Sequence, residues 1–237
     1  VYAYTKLLAN GEIKDGEKIN VVVPTGNFGN ILAAYYAKNL GVPIAKLICA
    51  SNDNKVLYDF FQTGTYDKNR EFVLTTSPSM DILISSNLER LIYLICGEDS
   101  EKTKELMEEL KTTGKYTITL EMKEKLADFA AGYSTEEETA ESIHDTYQKT
   151  GYVMDTHTAV AAHVCGQYRA KSGDQTKCVI ASTASPYKFV KSVMSAIDAE
   201  NANADEFDLL PKLQEVSGVP MPQAIKDILD AKVLHDL

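Results

Sequence analysis

The first residues whose types and spacing suit chemistry are Pro24-Thr25-Gly26-Asn27-Phe28-Gly29-Asn30. They follow the β-branched run Val21-Val22-Val23 and precede Ile31-Leu32-Ala33-Ala34, an order that reads as buried strand, glycine turn, helix. Free N–H groups at a helix start carry partial positive charge, and glycine lets backbone approach an anion closely. The G-x-x-G spacing is neither the dinucleotide fingerprint nor the Walker loop. On spacing alone it fits a phosphate cradle and an ordinary strand-to-helix turn alike. A β-branched residue in place of Gly26 or Gly29 is expected to block an anion's approach to the backbone.

A second place for chemistry follows the apolar run Cys178-Val179-Ile180-Ala181. Ser185 as N-cap and Pro186 at the first helical position mark a helix start, leaving the hydroxyls of Ser182 and Thr183 at the strand's carboxyl end. His157, beside the start of an Ala-rich helix, suits a hydrogen-bonded structural role and a cleft-facing role. Ser51-Asn52-Asp53-Asn54 ends another strand, as a ligand edge or as a common Asn/Asp turn. No grouping of the four histidines has metal-ligand spacing.

These groups need a scaffold. The pattern predicts helices over 2–9, 31–39, 56–62 and 88–95, the last capped by Asn87 or Ser86, and strands over 20–23, 44–50 and 178–181. From 98 to 147 the chain reads as acidic and helical, including 102–110 and 121–131, with Thr135 in a hydroxyl-capped start; this is expected to be a solvated layer. A short terminal helix is expected over 223–231. The whole is a three-layer α/β arrangement on a mostly parallel sheet. Residues 1–20 form a lead-in and 21–200 the α/β domain, with the acidic helical insertion at about 98–150. Residues 201–237 form a tail packing back on the domain.

Composition narrows the class. A net charge of -10 argues against nucleic-acid and anionic-membrane surfaces, which need clustered Lys and Arg. Cys49, Cys96, Cys165 and Cys178 lie far apart in apolar runs, pointing to buried reduced thiols and a cytoplasmic protein. No apolar run approaches transmembrane length. The opening Val1-Tyr2-Ala3-Tyr4 reads as a helix already under way, which predicts residues before it.

Together these blocks resemble threonine synthase, a pyridoxal-phosphate enzyme of the fold type II, tryptophan-synthase-β superfamily. The resemblance runs along the whole chain. It is carried by Pro24-Thr25-Gly26-Asn27-Phe28-Gly29-Asn30, Ser77-Pro78-Ser79-Met80-Asp81, Ser85-Ser86-Asn87-Leu88-Glu89-Arg90, Asp155-Thr156-His157-Thr158 and Thr183-Ala184-Ser185-Pro186-Tyr187-Lys188-Phe189, and by the terminal Ser217-Gly218-Val219-Pro220-Met221-Pro222. It implies that Gly26, Asn27, Phe28, Gly29 and Asn30 cradle the phosphate of pyridoxal phosphate and that Thr183 stands beside its ring nitrogen. A neutral hydroxyl there makes a milder electron sink than a carboxylate would. The implied reaction takes O-phospho-L-homoserine and water to L-threonine and phosphate. The family's Schiff-base lysine lies on the amino-terminal side of the glycine loop, so no catalytic residue is assigned here and the isolated chain is expected to be inactive. Thr156 stands where proline is frequent and Ser185 where some members have histidine; Ser185 is assigned a cap only. Another pyridoxal-phosphate lyase or dehydratase, or a non-catalytic phosphate-binding module, fits less of the pattern.

Overall fold

The structure, a computed structural model, describes residues 1–229, 231 and 232. Elements alternate in the order α1 (Tyr2–Ala9), β1 (Ile19–Pro24), α2 (Gly29–Asn39), β2 (Ile44–Ser51), α3 (Val56–Thr63), β3 (Thr65–Asp67) and α4 (Leu88–Ile95). They continue with α5 (Ser100–Thr113), β4 (Lys115–Thr117), α6 (Leu120–Glu124), β5 (Phe129–Tyr133), α7 (Glu136–Thr150), α8 (Thr156–Ser172) and β6 (Cys178–Ile180). The last helices are α9 (Val190–Ile197), α10 (Glu206–Ser217) and α11 (Gln223–Leu229). Short 3-10 turns occupy Pro78–Met80, Pro186–Phe189 and Ala199–Asn203.

The main sheet has the order β5-β2-β1-β6, with every neighbouring pair parallel. Strand alternation sorts its side chains into two layers. Val23, Leu47, Cys49 and Phe129 join one apolar cluster with Ile31, Leu32, Val56 and Leu91 of the α2, α3 and α4 side. Val22, Ile48 and Ala50 face the opposite way, onto Val160, Ala161 and Val164 of α8. The sheet is thus sandwiched between helical layers. From β1 the chain moves outward to β2 and β5, then returns through α8 to place β6 on the other side of β1. The crevice beyond the carboxyl ends of β1 and β6 is therefore a topological switch point, where open α/β sheets bind ligands.

The segment over 98–150 departs from the expected helical layer. Helix α6 stops at Glu124, and Phe129–Tyr133 is an edge strand whose Phe129 pairs with Leu47 and Tyr133 with Ser51. Met122, Leu126 and Phe129 are all buried at helix-like spacing, so the local pattern favours helix over 121–131. Pairing with β2 overrides it. A second, antiparallel pair joins β3 and β4, with Tyr66 and Tyr116 stacked at 5.5 Å. Helix α10, within the segment expected to pack back as a tail, seats Leu209, Leu210 and Leu213 in the α9 cluster. The Tyr187 hydroxyl then donates to the Val219 carbonyl at 2.5 Å, tying the following segment to the turn after β6.

All four cysteines are free thiols, but only Cys49 and Cys165 are buried. Cys96 ends α4 and Cys178 opens an edge strand, so both keep partial exposure. Among the described residues no helix is long and apolar enough to cross a membrane, and no group of three or more His, Cys, Asp or Glu is placed to hold a metal. His235 and Asp230 lie outside the described residues.

Candidate functional site

Strand β1 delivers Pro24 and Thr25 to the switch point, where the chain must reverse direction into α2. Phe28 makes that reversal in the left-handed region, at φ 64°. This conformation costs a non-glycine residue about 1–2 kcal/mol. Burial of the Phe28 ring contributes about 1.5–3 kcal/mol, and its rings pair with Phe61 at 6.1 Å and Phe129 at 6.0 Å. The core anchor outweighs the strain. Phe28 therefore offers the cavity its backbone, while its side chain holds the turn in place.

Helix α2 begins with no side-chain cap. Its first intrahelical bond runs from the Leu32 N–H to the Phe28 carbonyl at 3.1 Å. The N–H groups of Gly29, Asn30 and Ile31 precede it and have no acceptor within the helix. Gly29 and Asn30 border a cavity of about 290 Å³ whose lining also includes Gly26, Asn27, Phe28 and Thr183. The structure so gathers Gly26, Asn27, Phe28, Gly29, Asn30 and Thr183, the residues the resemblance points to, around one cavity. A larger groove of about 670 Å³ lies beside α4 and α5, and size alone does not mark it as a site.

The opposite wall is built differently. Asp155, buried, caps α8 by accepting from the N–H groups of His157 at 2.9 Å and Thr158 at 3.2 Å, and the Thr158 hydroxyl also donates to it. Burial raises the Asp155 carboxyl's pKa, but the bonds from His157 and Thr158 outweigh that and hold it below the usual carboxylate range. The Thr158 hydroxyl also meets Ser182 Oγ at 3.1 Å, joining the start of α8 to the strand end that carries Thr183.

His157 resolves both of its roles at once. It lines the cavity, yet it is only 2% exposed and packs on the Phe189 ring at 4.9 Å. Its Nε2 accepts from the Ser79 N–H at 3.2 Å, which places the ring hydrogen on Nδ1, 3.3 Å from Asp155 Oδ1. The Ser79 backbone in turn presses on Gly26: a Cβ there would lie 2.6 Å from the Ser79 carbonyl. Gly26 is thus required by the protein's own packing, before any approach of an anion is considered. Gly29 is under no such constraint, since its Cβ would meet only Asn87 Nδ2, at 3.5 Å.

Three further sequence assignments change. Asn87 sits at the N-cap of α4 but makes no side-chain cap; its amide donates to the Asn27 carbonyl instead. Asn52 and Asn54 do not border the cavity. They donate to Asp81 Oδ1 at 2.8 and 2.9 Å and fold the hydroxyl-rich segment over 73–81 against the end of β2. Lys188, part of the Thr183–Phe189 block but given no site role from the sequence, lines the cavity in the 3-10 turn that Pro186 opens.

Comparison with known proteins gives this architecture a class. The threonine synthase of Brucella melitensis, solved with PLP bound, matches the structure with a TM-score of 0.75 and 39% identity, across 82% of this chain and 41% of that one. The fold is that of a fold type II pyridoxal-phosphate enzyme. Residues 158–232 match the family described as Threonine synthase, C-terminal. The chain is 42% identical over 220 residues to Threonine synthase-like 1 of Pongo abelii, covering 92% of this chain and 29% of that protein. It is 39% identical over 214 residues to threonine synthase of Saccharomyces cerevisiae, covering 84% of this chain and 42% of that protein. The chain is homologous to the carboxyl-terminal part of threonine synthases. It spans less than half the length of each of these three relatives.

Proposed function

We propose that the cavity at the switch point binds pyridoxal phosphate, and that the chain is the cofactor-gripping part of a protein that converts O-phospho-L-homoserine and water to L-threonine and phosphate. The observation that carries this is the uncapped start of α2 standing with Thr183 around one cavity. The cavity's fit to the group rests on that free helix start: a dianion there accepts charge-assisted hydrogen bonds from several N–H groups without needing a lysine. The PLP-bound Brucella relative and the names of the other relatives support the cofactor and the reaction.

In this proposal Gly26, Asn27, Phe28, Gly29 and Asn30 hold the phosphate, and Thr183 offers its hydroxyl to the ring nitrogen. When bound, pyridoxal phosphate supplies a conjugated ring that withdraws electrons from the carbon beside an amino group. Thr183 holds that ring without placing a carboxylate against it, which keeps the withdrawal moderate. His157 and Phe189 close the cavity wall, and Asp155 keeps the His157 ring turned toward Ser79. The anchoring lysine comes from outside residues 1–237: Lys188 sits within the proline-led turn, its ammonium 5.5 Å over the Phe189 ring. The free thiols fit a cytoplasmic home. Because the Pongo relative carries the name Threonine synthase-like 1, another pyridoxal-phosphate lyase or dehydratase reaction is the second reading.

The test is turnover. The intact protein loaded with pyridoxal phosphate is expected to release phosphate and L-threonine from O-phospho-L-homoserine, and the 237-residue chain alone is expected to release neither. Product from serine or threonine but not from O-phospho-L-homoserine would select the second reading. Turnover by the chain alone would remove the claim about the lysine.

A further inference from the structure

The glycine loop is gripped through its carbonyl oxygens, by residues that include Asn87 of the cavity lining. Ser85 Oγ donates to the Gly26 carbonyl at 2.8 Å in a buried contact. Asn87 donates twice to the Asn27 carbonyl, through its backbone N–H at 3.1 Å and its side-chain amide at 2.8 Å. Ser85 is itself held, since its N–H donates to the Tyr66 hydroxyl at 2.8 Å while that hydroxyl donates to the Leu83 carbonyl at 3.0 Å. Tyr66 is fixed in turn by its stack on Tyr116. A chain of contacts therefore runs from the small β3–β4 pair to two consecutive peptide groups of the loop.

Within a planar trans peptide the C=O of one residue and the N–H of the next point in opposite directions. Pinning the Gly26 and Asn27 carbonyls to the 85–87 segment turns the N–H groups of Asn27 and Phe28 the other way. Among the described residues no protein acceptor takes either N–H. Both residues line the cavity, and successive free N–H groups beside a left-handed residue form an anion-binding concavity. The Asn87 side chain, at the head of α4, leaves its own helix uncapped to make this contact. A cap left unmade at one helix sets the anion site at another.

We propose that Asn87, seconded by Ser85, is a positioning residue for phosphate recognition: it orients the Asn27 and Phe28 peptides so that their N–H groups meet an anion. This rests on the phosphate-cradle assignment above. The test measures binding of pyridoxamine phosphate and of pyridoxamine, which lack the aldehyde and so bind without any lysine bond, to the intact protein. The wild type is expected to prefer the phosphorylated compound. Asn87→Ala is expected to reduce that preference about tenfold, with pyridoxamine binding unchanged. Asn87→Asp, of equal size but unable to donate, is expected to reduce it at least as far. Asn87 is half-buried, so neither change opens the core.

The two ways of failing are separable. A wild type that binds both compounds equally removes the phosphate cradle itself. A wild-type preference that survives in both variants leaves the cradle standing and overturns the role of Asn87. An equal loss of both compounds in the variants also overturns it, because that marks general damage in place of oriented amides.

Discussion

Two helix starts meet at one cavity, and they are finished in opposite ways. At α8 the protein supplies its own anion: the Asp155 carboxylate accepts from two backbone N–H groups and a hydroxyl. At α2 the N-cap is Phe28, which has nothing to give, and the first N–H groups stay free. Both are strand- or loop-to-helix junctions on one sheet edge, with the same backbone need. The difference teaches that a missing cap is informative where the surrounding structure is otherwise tight. The α2 turn is held by a buried ring, a neighbouring backbone and a carbonyl clamp, so its uncapped start is a built feature.

The comparison breaks most severely at Gly26. Gly26→Ala places a Cβ against the Ser79 carbonyl at 2.6 Å, and backbone cannot swing aside as a side chain does. Overpacking of this kind is expected to cost about 3 kcal/mol in denaturant unfolding. Because the displaced Ser79 also leaves His157, both walls should suffer together: pyridoxamine phosphate binding is expected to be lost, even where folding is rescued by osmolyte. Retained binding would show that the loop is not pinned by the Ser77–Met80 turn.

Asp155→Ala tests the other start. Removing the cap leaves two buried N–H groups of α8 without an acceptor, an expected cost of about 2 kcal/mol. The same α2-side loop is untouched, so the loss of stability is expected to exceed the loss of phosphate preference. A larger effect on binding than on stability would mean that Asp155 acts on the ligand and not on its helix.

Acid sharpens this further. The folded Asp155 carboxyl titrates below its usual range, since the bonds from His157 and Thr158 outweigh burial. The unfolded chain therefore takes up the proton more readily than the folded one. The resulting stabilisation is fully present above the unfolded value of about 3.9 and is lost as pH falls through the lower folded value. Unfolding curves of wild type and Asp155→Asn are expected to converge below about pH 4 and to separate above it. A constant gap across that range would assign the stability to shape and not to charge.

These contrasts explain what was legible beforehand. The glycine turn, the Thr135 capping box and the Pro186 helix start are local patterns, and their residues are adjacent in sequence. The alternation of strand and helix followed from period alone. What escaped was set by distant partners. Phe129–Tyr133 looks like the end of a helix until β2 pairs with it. His157 finds its acceptor role in Ser79, 78 residues away, and Ser85 reaches Gly26 across 59. Asn87 looks like a cap because Asn at a helix start usually is one; only the folded chain offers it the Asn27 carbonyl.

The smallest expected effect separates the two glycines of the motif. Gly29 is the first residue of α2, its φ is not in the left-handed region, and its added Cβ would sit 3.5 Å from Asn87 Nδ2, an ordinary contact. Gly29→Ala keeps the backbone N–H that faces the cavity and lowers the entropy of the unfolded chain. Its expected effect on stability is within about 0.5 kcal/mol of zero, with either sign allowed by that one contact. Preference for pyridoxamine phosphate over pyridoxamine is expected to stay within about threefold of wild type. If Gly29→Ala instead abolishes that preference while Gly26→Ala spares it, the roles are reversed. Close approach of the anion would then govern the loop, and the tightness against Ser79 would be incidental.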